Sequence, residues 1–99
     1  MAHVAITRIA LQPGNHQRMQ EAVQALLDAR RPLLGGDLRS MHVARSADGN
    51  EYALISVWAS AEADARHEND AAERQAGERM GPFVAAAPVE FAGEIIAEM

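Results

Sequence analysis

Two residue types are missing from this sequence of 99 residues: cysteine and lysine. Without cysteine there are no disulfides, no thiolate nucleophile and no zinc–thiolate centre. Without lysine a Schiff-base mechanism is excluded, because all nine basic residues are arginine. Aromatics are scarce at 4%, with a single tryptophan, Trp58, and a single tyrosine, Tyr52. Positive charge is in deficit too. The formal net charge is −5 and no basic cluster exceeds Arg30-Arg31, so neither nucleic acid nor an anionic membrane is an expected partner. No apolar run is long enough to span a bilayer, and strand-like sequence begins by His3 with no apolar leader. The cytoplasm is therefore the expected compartment.

What is present fits one domain over residues 1–99, since 48% of the residues are hydrophobic. His3 to Leu11 is rich in aliphatic and β-branched residues and reads as a strand, ended by Pro13-Gly14 with Asn15 as a helix N-cap. Met19, Ala22, Val23, Leu26 and Leu27 then recur at the spacing of one helical face, giving a half-buried helix to about Arg31. Arg30 and Arg31 complement the dipole at its C-terminal end. Leu38 to Arg45 alternates, with Leu38, Ser40, His42 and Ala44 on one face. Ser46 to Asn50 is a hairpin signal centred on Asp48-Gly49. It leads into a strand to Trp58 with Tyr52, Leu54, Ser56 and Trp58 on one face and Ala53, Ile55 and Val57 on the other. A second helix is predicted from a Ser60 cap to Met80, stopped by Gly81-Pro82. A last alternating strand follows from Val89 to Met99.

The order β-α-β-β-α-β is the split βαβ arrangement of an α+β, ferredoxin-like domain with a four-stranded antiparallel sheet. Two helices cover only one face of such a sheet. The other face, with Ala53, Ile55 and Val57, is apolar as well, and the simplest cover is a second copy. A homodimer with face-to-face sheets is expected.

Trp58 at a strand end has two readings: a plug for one end of the core, or the flat wall of a pocket shared with Tyr52, Leu54 and Ser56. Such walls suit a small aromatic ligand better than a phosphate or sugar. His42 offers a base near neutrality if its face is the one covered by helices. His3 and His16 are expected to be solvated. No two histidines have metal-ligand spacing and no serine sits in a nucleophile elbow, so no metal and no hydrolase chemistry are expected. Glu90, Glu94 and Glu98 read as a solvated row on the last strand. Helical periodicity groups Ala61, Ala65, Ala72, Ala76 and Met80 on one stripe and leaves His67 nearly opposite it.

Taken together, the Pro13-Gly14 turn, the Gly35-Gly36 segment, the Asp48-Gly49 hairpin and the Trp58/His67 pair resemble the antibiotic biosynthesis monooxygenase family, within the dimeric α+β barrel group. The resemblance spans nearly the whole chain. It implies a cofactor-free oxygenase acting on aromatic or polyketide-like phenols, with Trp58 and Tyr52 orienting substrate and His42 or His67 as base. It also implies an inward His67, which needs a break of helical phase near Asn69-Asp70. This chain departs from the family's aromatic oxygenases in having Leu54 where they place asparagine and Asp64 where they place a helix tyrosine. It departs from the haem-degrading branch in having Thr7 in place of asparagine and no histidine after His67, so haem degradation is not expected. The loss of a polar group at Leu54 leaves a second reading open: a non-catalytic small-molecule-binding homodimer of the same fold.

Overall fold

The computed structural model describes residues 1–99. Strand β1 (His3–Ala10) and strand β3 (Glu51–Trp58) run antiparallel at the centre of a four-stranded sheet. Strand β2 (Leu38–Arg45) lies on the outer side of β3, and strand β4 (Val89–Glu94) on the outer side of β1. Helix α1 (His16–Arg30) carries the chain from β1 over to β2, and β3 then fills the gap between them. This is the expected split βαβ topology. The last strand stops at Glu94, short of the predicted Met99.

The stripe predicted for α1 is its buried face. Met19, Ala22, Val23 and Leu26 are buried, and the same stripe ends in a buried Arg30. Asn15 does not cap the helix with its side chain. Its Nδ2 instead donates to the carbonyls of Gln12 and Pro13, at 3.1 and 3.2 Å, and so closes the turn. Gly14 makes that turn possible with φ +83°, which a β-carbon would strain.

Two local irregularities decide what faces the helices. The first is a register shift between Leu38 and Ser40 in β2. A bulge of this kind places two residues opposite one and reverses the alternation that precedes it. Leu38 therefore sits opposite Trp58 and is 1% exposed. Met41 pairs with Ser56 and Val43 with Leu54, on the helix side, while His42 pairs with Ile55 on the open side. The predicted common face of Leu38, Ser40, His42 and Ala44 is thus split.

The second is a break in the predicted Ser60–Met80 helix, which is two helices, α2 (Ala61–His67) and α3 (Ala71–Met80). Asn69 between them has φ 61°, a left-handed conformation that asparagine tolerates better than most residues. Each helix is capped independently. The Ser60 hydroxyl accepts from the Ala63 amide at 3.1 Å, and the Asp70 carboxylate accepts from the Glu73 amide at 3.0 Å. The break resets the phase. Ala63 is fully buried while Ala61 and Ala65 are exposed, against the single stripe expected; Ala76 and Met80 are buried as expected.

The larger core cluster joins Ile9, Leu11, Met19, Leu26, Tyr52, Met80 and Phe83, and a smaller one joins Leu38, Trp58 and Ala63. The other side of the sheet carries Val4, Ile6, Ile55 and Val57 with no helix over it, and Val89 and Phe91 beside them are about 60% exposed. No helix is long and apolar enough to cross a membrane.

Candidate functional site

A cavity of about 350 Å³ lies between the sheet and the helices, lined from both core clusters. Its floor is the helix-side face of β1 and β3, where Ala5, Thr7, Leu54 and Ser56 are cross-strand neighbours. Leu26 and Arg30 of α1, and Ala76 and Met80 of α3, form the opposite wall. Gly77 lies on the rim. Glycine inside a helix costs about 1 kcal/mol relative to alanine, yet a β-carbon here would meet nothing within 4 Å. Packing does not demand this glycine; its effect is to leave the rim open.

Trp58 is plug and wall at once. It is 3% exposed, packs with Leu38 and Ala63, and also lines the cavity. Its ring stacks on His67 with centroids 5.4 Å apart and planes 12° from parallel. The Arg30 guanidinium lies 5.4 Å from the indole centroid, a cation–π contact. The indole Nε1–H is buried and has no acceptor in the protein. A buried donor left unpaired costs about 1–3 kcal/mol.

Arg30 lines the cavity and is held by Asp70, whose carboxylate accepts from it at 2.6 Å. Partial burial pushes Asp70 upward, but the Glu73 amide, the Arg30 guanidinium and His67 outweigh it and hold its pKa below the usual carboxylate value. Arg30 was assigned above only to the helix dipole. Its spacing of four from Leu26 already placed it on the buried stripe.

His67 is half-buried on the far side of the indole and does not line the cavity. Its Nε2 lies 2.9 Å from Asp37 and its Nδ1 lies 3.5 Å from Asp70, so both ring nitrogens face carboxylates. Arg66 forks onto the same Asp37 carboxylate at 2.8 and 3.1 Å. Arg66 first, and His67 second, lower the Asp37 pKa to about 2 from an ordinary 3.8. A depressed folded-state pKa contributes stability that is present above the unfolded value and is lost as pH falls through the folded one. Acid unfolding should therefore have a component between about pH 4 and pH 2 that Asp37→Asn removes. Thermal melts of both proteins across that window check it; identical slopes would refute the assignment.

The other predicted site residues divide. Leu54 and Ser56 line the cavity with Trp58. Tyr52 is 4% exposed within the larger core, next to His16, and its hydroxyl has no partner; it lies under the site rather than in its wall. His42 is exposed on the opposite face of the sheet, because of the bulge, and cannot reach a ligand in this cavity. His3, expected to be solvated, is half-buried and lies with Nε2 3.0 Å from Asp64, which lines the cavity. Glu90 faces the same side at the edge of the sheet and also lines it. The phase of Ile9 and Leu11 would have turned His3 inward, but no sequence signal pairs it with a residue 61 positions away.

The profile of the antibiotic biosynthesis monooxygenase family matches residues 2–79. No curated protein matches significantly. Among solved structures, Rv0793 from Mycobacterium tuberculosis superposes with a TM-score of 0.86 at 18% identity, over 99% of this chain and 98% of that one. SnoaB, a cofactor-independent oxygenase from Streptomyces nogalater, superposes with a TM-score of 0.82 at 11% identity, over 99% and 96%. A provisionally assigned antibiotic biosynthesis monooxygenase from Caulobacter crescentus has a TM-score of 0.83 at 21% identity, over 97% and 91%.

Proposed function

The chain belongs to the antibiotic biosynthesis monooxygenase family, and from that membership we propose that it is a cofactor-independent monooxygenase of a small aromatic or polyketide-like phenol. The observation that carries this reading is the cavity itself, with the Trp58 ring and the Arg30 guanidinium in its wall. Direct reaction with oxygen needs the substrate as its carbanion or phenolate. Preorganised donors around the oxygen that gains charge stabilise that anion. Leu54, Met41 and the indole supply flat apolar contact, and Thr7 and Ser56 supply hydroxyls. For an anthrone the balance is complete: the methylene carbon loses two hydrogens, one oxygen atom of O₂ becomes the new carbonyl, and the other leaves as water. The shared fold of an oxygenase that needs no cofactor is consistent with this chemistry.

One observation favours a second reading. Leu54 offers no hydrogen bond on the cavity floor and both His67 nitrogens are committed to carboxylates, which suits a binding protein without turnover. Oxygen uptake with an anthrone-type substrate, in metal-free and flavin-free buffer, separates the two. One O₂ should be consumed per quinone formed. Quenching of Trp58 emission across a hydroxyaromatic panel with no uptake would establish the binding protein instead. We place a second copy on the open face, over Ile6, Ile55, Val57 and Phe91; sedimentation as a monomer at micromolar concentration would contradict that.

A further inference from the structure

Oxygenation of a phenol or anthrone begins with loss of a proton, so the cavity needs an acceptor at its wall. The histidines do not supply one: His42 faces away, His67 lies behind the indole, His16 packs on Tyr52, and His3 is not among the lining residues. Three carboxylates do line the cavity, those of Asp64, Glu73 and Glu90. Glu73 is occupied, accepting from the Asn69 amide at 3.1 Å and standing 3.7 Å from Arg30. Glu90 is exposed on an edge strand and no hydrogen bond orients it.

We propose that Asp64, oriented by His3, is the general base of this cavity; the proposal rests on the oxygenase reading above. Asp64 Oδ2 lies 3.0 Å from His3 Nε2, within hydrogen-bond distance, and Oδ1 bonds to no protein group. Both members sit on firm elements. His3 is in β1, directly across from Trp58, and Asp64 is in the first turn of a helix capped by Ser60. The pair therefore stands beside Trp58, which lines the same cavity. In the step, the substrate's O–H or benzylic C–H bond breaks and its proton passes to Oδ1. The electron pair stays on the conjugated substrate, with its charge drawn toward the Arg30 guanidinium in the same wall. Oδ2 keeps the His3 hydrogen bond throughout, so the carboxyl does not turn. His3 is a positioning residue; Asp64 touches the reacting atom.

Proton transfer can be read without oxygen. Under argon in D₂O, the benzylic protons of anthrone should exchange faster with the protein than in buffer alone, followed by proton NMR. Asp64→Asn keeps the size of the side chain and its contact with His3 but removes the base. It should slow exchange and kcat by about 10²–10⁴-fold while KM changes little. Asp64→Glu, which keeps the carboxylate but displaces it, should retain part of the exchange and serves if the asparagine variant does not fold. His3→Gln should lower exchange less than Asp64→Asn. Exchange and uptake that both survive Asp64→Asn would overturn the proposal and leave the oxygenase reading standing. Exchange that needs Asp64 in a protein showing no uptake would leave the base standing and remove the oxygenase. A wild-type protein with neither activity would end both.

Discussion

Replacing Trp58 by alanine should destabilise the domain by about 3–5 kcal/mol, the range for removing a buried tryptophan. Domains of this size have only about 5–15 kcal/mol in total, so the variant should unfold at a fraction of the wild-type denaturant concentration. The loss has three identifiable parts. Leu38 and Ala63, each almost fully buried, lose the side chain that closes their cluster. His67 loses the ring it stacks on, and Arg30 loses its cation–π partner. Urea titrations followed by circular dichroism at one fixed protein concentration would measure it. A cost below about 1 kcal/mol would mean that the smaller cluster collapses onto the gap. Trp58→Phe keeps an aromatic plane but loses the N–H and part of the ring, so it should fold with a smaller loss of stability than Trp58→Ala.

Arg30→Met should cost about 2–3 kcal/mol, at or below the lower end for breaking a buried ion pair by removing one partner. The discount follows from geometry. Arg30 is 8% exposed at its side chain but Asp70 is 29% exposed, so water screens the carboxylate left behind. Adding Asp70→Asn should recover part of the loss, because asparagine still caps α3 and the carboxylate nearest the lost guanidinium is gone. A cost for the double variant equal to the sum of the two single-variant costs, within about 0.5 kcal/mol, would show that the pair is not coupled. Methionine replaces the aliphatic stem of the arginine and keeps the wall apolar, so binding of neutral aromatic ethers should persist while phenolates are disfavoured.

Much of the fold was legible because its signals are periodic. The alternation around Tyr52–Trp58 and the α1 stripe report on repeats of two and of 3.6 residues that burial imposes, and the Asp48-Gly49 hairpin on the positive φ that Gly49 adopts. Non-periodic features were not legible. Arg39 carries no compositional mark of a bulge, so strict alternation placed His42 on one face with Leu38, which the register shift separates. Glu68-Asn69-Asp70 contains neither glycine nor proline, and so the second helix read as continuous. An inward His67 was recognised to need a break there, and the break exists, but it brings His67 to the back of Trp58 rather than into the cavity. The cavity's charged groups were missed for another reason. Arg30 obeyed the apolar stripe yet looked like an end-of-helix charge. His3 and Asp64 are ordinary residues in their own elements, and only the tertiary fold makes them a pair.

The break at Asn69 has a consequence for how the domain opens. Helix α2 packs on β1 and β3, whereas α3 packs on α1, so the two halves of one predicted helix answer to different partners. In native-state exchange such regions behave as separate cooperative units, each with its own opening free energy. The cavity lies along the seam between them. Arg30, held to α3 by Asp70, reaches across it to the His67 carbonyl and the Trp58 ring. A ligand can then enter by loosening α3 alone, while Trp58 keeps its backing from α2, and occupancy becomes coupled to the stability of the α1–α3 unit rather than to that of the whole domain.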